Sequence, residues 1–355
     1  MRRPLAAGLL AAGALVVLAC TAVLAARGWS WPSSTAAAHQ DVPVVRRAGF
    51  AMGTFVQVVA AGAGAQAAAD AALEEVARLD RLLNRFDATS PVAAINAQAG
   101  RGMVEVPAEV GEVVTLALDV ARRTGGAFDP TVAPLVDAWG FGAVERGEPP
   151  SRPPSPQAIE EARQRVDYTA VRLEREGDAV LVGLARAGMA LDLGGIAKGY
   201  AADRALAVLR AHGVSSALVD VGGEIAVLGR RPATASDRED GEGWRVGIQH
   251  PRDPRGLVTT VELTTGAVAT SGDYERLFEW EGRRYHHLID PRTGWPATGL
   301  VSVSVLHESA AVADALATAV MVLGPRRGQA LVREWPGAHA ILVDESLRVT
   351  RVQGP

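Results

Sequence analysis

The chain has 355 residues, 48% of them hydrophobic and 21% charged, which excludes a disordered or low-complexity protein and leaves ample material for a core. The net charge is −4, and the first 38 residues carry Arg2, Arg3 and Arg27 but no acid, so the remainder is more acidic still and no nucleic-acid partner is expected. The one cysteine, Cys20, excludes an intramolecular disulfide or a cysteine metal site, and Lys198 is the one lysine among 36 Lys and Arg residues.

Arg2 and Arg3 precede an uncharged run over 5–26, close to the roughly 20 apolar residues that span a bilayer. The positive flank keeps the N-terminus in the cytoplasm and sends the body across. An uncleaved anchor, a signal peptide cleaved near Ala26 or Ala38, and lipidation at Cys20 after Val17-Leu18-Ala19 are the alternatives. Each places the body in the cell envelope, on the extracytoplasmic face of the inner membrane or in the periplasm. The expected plan is a signal or anchor over 1–26, a linker over 27–45 and one domain over 46–355.

Within that domain, the β-branched run 54–60 predicts a strand. Ala72, Leu73, Val76, Leu79 and Leu83 recur at helical spacing and predict a helix over 65–86. A second helix covers 108–123 and stops at Gly125-Gly126. Pro and charge over 145–154 predict a surface loop, and Ser155 followed by Pro156 predicts a capped short helix over 155–165. Further on, a helix over 197–212 ends at Gly213, and strands over 216–220 and 224–228 flank Gly222-Gly223. The polar stretch 230–243 predicts a loop. Short strands alternate with turns over 244–288, a strand at 301–306 precedes a helix over 309–322, and a strand pair, 338–343 and 347–352, closes the chain. Helices interspersed with antiparallel strands predict an α+β fold with mixed, largely antiparallel sheets and packed helices. No Gly-x-Gly-x-x-Gly or P-loop stands in strand–turn–helix context.

Four segments carry chemical potential. The stretch 124–142, with Phe128, Trp139 and Phe141, is either a wall that stacks on flat rings or a buried connector anchored by its aromatics. In Leu191-Asp192-Leu193-Gly194-Gly195-Ile196-Ala197-Lys198-Gly199-Tyr200, glycines lead into a helix whose N–H groups attract phosphate. There Lys198 either faces an anion or is solvated, since the helix dipole disfavours a cation in the first turn. In Arg284-Tyr285-His286-His287-Leu288-Ile289-Asp290-Pro291, adjacent strand histidines point to opposite faces, so at most one faces a given site. His287 is a base, a phosphate contact, or a histidine exposed on a sheet. Asp314 and Thr318 share one helix face and present oxygens suited to a hard cation such as Mg²⁺, or else serve the helix itself as a dipole partner and a back-bonded hydroxyl.

Together these segments resemble the ApbE-like family of FAD:protein FMN transferases, from about residue 48 to the C-terminus. The resemblance rests on an ordered set: Met52-Gly53-Thr54, Leu83-Asn84-Arg85-Phe86 with Ser90 and Asn96, Gly126-Ala127-Phe128-Asp129-Pro130, the segment 192–200, Val221-Gly222-Gly223, Ser271-Gly272-Asp273-Tyr274, 287–294 and 313–318. It implies Mg²⁺-dependent transfer of FMN from FAD onto a Thr or Ser hydroxyl of an acceptor subunit of a membrane electron-transfer complex, with release of AMP. An FAD pyrophosphatase and a non-catalytic flavin-binding assembly factor are the alternatives. Residue by residue it implies an FAD site of Met52, Phe86, Ala127, Phe128, Asp129, Asp192, Lys198 and Leu288. Phe86 stands where the family often has Tyr. The implied Mg²⁺ ligands are the Gly195 carbonyl, Asp314 and Thr318, and His287 and Lys198 are the implied catalytic residues.

Overall fold

Period-two alternation of small and branched apolar residues builds the central sheet, and the alternate residues face two different layers. The computed structural model describes residues 43–144, 150, 152–232 and 243–355. The N-terminal apolar run lies outside these residues, as do 233–242 and most of the expected loop 145–154. Among the described residues no helix is long and apolar enough to cross a membrane.

The chain opens with a hairpin, β1 (Val44–Ala51) and β2 (Thr54–Ala61), then α1 (Ala65–Leu83), α2 (Pro91–Ala97), β3 (Met103–Val106) and α3 (Ala108–Arg123). Short helices α4 (Ala133–Ala138), α5 (Phe141–Val144) and α6 (Pro156–Arg163) precede β4 (Val171–Glu176) and β5 (Ala179–Leu184). Next come α7 (Ala197–Ala211), β6 (Ser216–Val221) and β7 (Glu224–Leu228). A ribbon of β8 (Trp244–His250) and β9 (Asp253–Leu263) leads to β10 (Thr265–Gly272), followed by β11 (Leu277–Trp280) and β12 (Arg283–His286). The remainder is β13 (Leu300–His307), α8 (Ala310–Glu334), β14 (His339–Asp344) and β15 (Val349–Gln353).

Eight strands form one antiparallel sheet in the order β1-β2-β6-β7-β10-β13-β14-β15, while β3-β5-β4 make a smaller sheet. On one face Val58, Ala226, Ala267, Ala269 and Leu342 join the main core under α1, α7 and α8. On the other, Val59 and Val227 pack on Trp244, and Val268 and Ile341 pack on Val246 and Ile248 of the β8–β9 ribbon. The expected α+β class with largely antiparallel sheets is what the structure has.

Several expectations are corrected in detail. The first helix ends at Leu83, because Asn84 is extended (φ −74°, ψ 105°), so Phe86 lies beyond it. The helix expected over 309–322 runs on to Glu334 across a break where Gly324 takes φ 73° and Pro325 starts the second half. Strand β1 begins at Val44, inside the expected linker. Ser155 caps α6 as expected, accepting from Ala158 N–H.

Helices α7 and α8 cap each other. Gly199, third in α7, has an N–H with no partner inside its own helix, and it donates to Asp314 Oδ2 of α8 (3.1 Å). In return Asp203 of α7 accepts from Ser309 Oγ (2.7 Å) and from the N–H groups of Ala310 (2.8 Å) and Ala311 (3.0 Å) at the start of α8. The approach is close: a Cβ on Gly199 would stand 2.2 Å from the Ala310 carbonyl oxygen. That neighbour is backbone and cannot swing away. Gly199→Ala is therefore expected to destabilise the protein by about 1–3 kcal/mol, the usual cost of overpacking, read as a lower urea midpoint with unchanged slope.

Candidate active site

The residues singled out in sequence meet in one place. Met52, Phe86, Ala127, Phe128, Asp129, Asp192, Gly195, Lys198, His287, Leu288, Asp314 and Thr318 all line one cleft with about 1470 Å³ of empty volume.

One wall is built from tight turns. Ala51 pairs with Thr54, leaving Met52 and Gly53 as a two-residue hairpin loop with positive φ at both (53° and 70°). Met52, a non-glycine residue in the left-handed region, borders the cleft. Thr54 rests on Gly222, where a Cβ would stand 2.4 Å from its Oγ1. The Met-Gly-Thr and Val-Gly-Gly motifs are thus one contact seen from two sides.

Arg85, 8% exposed, ties the next wall together. It bonds Asp137 (2.7 and 3.1 Å) and Asp192 (2.9 Å), and its guanidinium lies 4.2 Å from the centre of the Phe86 ring. Burial works against the Arg85 charge, but Asp137 and Asp192 outweigh it and hold the pKa above the ordinary value. Asn96 holds Leu191 at both backbone groups, donating to its oxygen (3.0 Å) and accepting from its N–H (2.7 Å). These contacts fix Asp192, which also accepts from Gly194 N–H (2.8 Å).

Asp129 borders the cleft but spends its carboxylate on the chain, accepting from Thr131 N–H (2.8 Å), Thr131 Oγ1 (2.6 Å) and Tyr168 N–H (3.2 Å). Burial still holds its pKa above the ordinary range. Phe128 lines the cleft. Trp139 and Phe141 are core anchors in a satellite aromatic cluster with Phe278 and Tyr285, and Phe141 also reaches the cleft. Both readings of the stretch 124–142 therefore hold, for different residues.

The charged floor forms where α7 and α8 start. Lys198 Nζ lies 2.6 Å from Glu224 Oε1. Burial opposes the Lys198 charge, but Glu224, Asp314 and Glu275 outweigh it and keep the ammonium protonated. Burial likewise raises the carboxyls of Glu224 and Asp314, and Lys198 pulls both back. Three acidic side chains outnumber the one ammonium, though burial holds Glu224 and Asp314 above the ordinary carboxylate range. Thr318 Oγ1 lies 3.3 Å from Ser271 Oγ, and a Cβ on Gly195 would fall 3.3 Å from both Thr318 Oγ1 and Phe128 Cε2. The space beside Thr318 thus exists because residue 195 is glycine. Oxygen donors beside surplus negative charge fit a hard divalent cation. Among the described residues no cluster of three His, Cys, Asp or Glu is arranged to hold a metal, so a cation here needs oxygens from a ligand as well.

The paired histidines separate where β12 ends at His286 and the chain bends at His287. His286 turns away, its Nε2 donating to the Ala297 oxygen (3.0 Å). His287 lines the cleft, and its Nδ1 is buried without a partner. Burial, helped by Arg276, His286 and Lys198, pushes His287 down to about 3, so its ring is neutral near pH 7. In the following Ile-Asp-Pro-Arg-Thr-Gly run, Ile289 and Pro291 line the cleft and the polar side chains hold the loop. Asp290 binds Arg292 in bidentate fashion (2.7 and 2.8 Å), and Ala297 N–H closes on the Leu288 oxygen (2.9 Å). Asp273, in another motif, pairs with Arg252 away from the cleft lining.

Sequence reasoning missed Arg85, Glu224, Glu275 and Arg276, all of which line the cleft. Arg85 stands inside the motif Leu83-Asn84-Arg85-Phe86 without an assigned role, and Glu224 adjoins Val221-Gly222-Gly223, which was the available signal. Glu275 and Arg276 follow Ser271-Gly272-Asp273-Tyr274 with no pattern to mark them.

The ApbE family profile matches residues 52–342. The chain is 41% identical over 326 residues to a protein named FAD:protein FMN transferase from Treponema pallidum, covering 87% of this chain and 86% of that one. Among solved structures it is similar to the ApbE protein of Thermotoga maritima, with TM-score 0.78, 35% identity and coverage of 87% of this chain and 97% of that one. It is similar also to the apo form of the Pseudomonas stutzeri flavinyl transferase, with TM-score 0.75, 33% identity and coverage of 88% and 95%.

Arg85→Met removes the cation that joins Asp137 to Asp192. A loss of about 1–3 kcal/mol is expected, below the fully buried case because both acids are partly exposed. Urea unfolding measures it, and hydrogen exchange should quicken at residues 191–194.

Proposed function

The chain belongs to the ApbE family, and from that membership and the cleft just described we infer that it is an FAD:protein FMN transferase. The observation that carries this reading is the composition of the cleft: one continuous space with aromatic faces at Phe86 and Phe128 and, on the same lining, an ammonium, buried carboxylates and a neutral histidine. A flavin dinucleotide needs both parts, a flat apolar wall for its rings and fixed charges for its diphosphate.

In this reading Met52, Phe86 and Phe128 border the ring system, while Lys198 and the glycine-rich start of α7 hold the diphosphate. The acceptor is the hydroxyl of a Thr or Ser on another protein. His287 takes the hydroxyl proton as the oxygen bonds to the phosphorus of the FMN half. The bond from that phosphorus to the bridging oxygen breaks, and the oxygen leaves on AMP. FMN ends as a phosphodiester on the acceptor. Asp314, Thr318 and the Gly195 carbonyl would hold Mg²⁺, which when bound offsets charge on the diphosphate as AMP departs. The arriving diphosphate raises the basicity of His287 from its low resting value, since negative charge favours the imidazolium.

We place the protein on the extracytoplasmic side of the inner membrane, with a subunit of a membrane electron-transfer complex as acceptor. The support is Arg2 and Arg3 ahead of the uncharged run 5–26.

Incubation with FAD, Mg²⁺ and an acceptor peptide carrying the hydroxyl residue should yield flavin-labelled peptide and AMP in equal amounts by mass spectrometry. Free FMN with unlabelled peptide would instead establish a pyrophosphatase. Asp314→Asn should lower flavinylation at least about 100-fold, the scale of losing an electrostatic stabiliser of the transition state. Because burial sets the free-enzyme pKa of His287 at about 3, the base is already deprotonated across pH 5.5–8. The pH profile of kcat/KM for FAD should therefore lack an acid limb near 6.5, the ordinary histidine value.

A further inference from the structure

The functional reading gives Glu224 no task, yet its placement is specific. It heads β7 directly after Gly222-Gly223, its side chain is 3% exposed, and its one side-chain partner among the described residues is Lys198 Nζ at 2.6 Å on Oε1. Oε2 is buried with no hydrogen-bond partner. A buried carboxylate with a bare oxygen costs stability, so packing supplies no reason for it.

Lys198, in contrast, is reachable from the cleft, with a side chain 21% exposed. It stands in the first turn of α7, where the helix dipole disfavours a cation, on a flexible four-carbon stem. Unheld, such an ammonium would swing among rotamers and away from the helix start. Asp314 and Glu275 act on it through space, whereas Glu224 alone among the described residues makes a direct ion pair with it. The turn ahead of Glu224 is tied to β2, Gly222 N–H donating to the Phe55 oxygen (3.1 Å). An ammonium has three N–H donors. With one committed to Glu224, the remaining two have fixed directions.

Resting on the flavin-transferase reading above, we propose that Glu224 is the positioning residue for Lys198: it pins the chain's one ammonium so that its two remaining donors meet the oxygens of the FAD diphosphate. Glu224 touches no substrate in this arrangement and acts through the lysine.

The test is a double-mutant cycle on FAD affinity in the full-length enzyme, read by flavin fluorescence with Mg²⁺ present, beside the acylation rate of Lys198 in the FAD-free enzyme, read by mass spectrometry. Glu224→Gln should weaken FAD binding roughly tenfold, the scale of one charge-assisted contact, and should cost almost nothing further in a Lys198→Met background. Acylation of Lys198 should be several-fold faster in Glu224→Gln than in the parent. Glu224→Asp, which keeps the charge at shorter reach, should fall between on both readouts and carries the comparison if the Gln variant does not fold. Losses that add across the two sites, or a Lys198 acylation rate unchanged by either Glu224 variant, would overturn the proposal. If the parent enzyme shows no FAD binding, the functional reading falls, and the acylation rates still decide whether Glu224 pins Lys198.

Discussion

Everything at the site depends on the mutual capping of two helices. A helix start exposes N–H groups that must find acceptors. Here each of two helix starts finds its acceptor in a carboxylate carried by the other: Asp314 for Gly199, and Asp203 for Ala310 and Ala311. The arrangement locks the crossing of α7 and α8 at a separation only glycine allows. It also brings Lys198, Gly195, Asp314 and Thr318 into one space. Asp314 caps the start of α7 and is also one of the three acids around Lys198, so one carboxyl group serves both the frame and the charge of the site.

Lys198 shows how position changes the meaning of a residue. A lone lysine in an arginine-rich chain could be an accident of composition. Buried among Glu224, Asp314 and Glu275, it is the cation that keeps a cluster of acids from repelling itself apart. The cluster remains over-negative even so. That charge balance is the condition on which the proposed cation rests.

Much of this was legible in the sequence, for physical reasons. Strong periodicity marked α1, α3 and α7, and Ser155-Pro156 marked the start of α6. Strands flanked by glycine turns, such as β6 and β7, were also readable. Strand β1 was not, because Arg46 and Arg47 put a charge on each of its faces and its burial alternates between exposed and partial up to the buried Ala51. The second half of α8 was hidden by Gly324-Pro325, which reads as a stop although the chain resumes a helix beyond it. At the site, motifs revealed residues with unusual local chemistry. They did not reveal pairings across the fold: Lys198 meets Glu224 from 26 positions away, and Arg85 meets Asp192 from 107. Such partners have no local signature.

The two-residue turn at Met52-Gly53 has a consequence for how this site can change. The cleft is walled partly by the longer connections 185–196 and 287–299, but this turn has no residue to spare. An insertion there would shift a strand register and move Thr54 off Gly222. At this turn, divergence in what the cleft accepts is therefore channelled into exchange of side chains at fixed backbone positions.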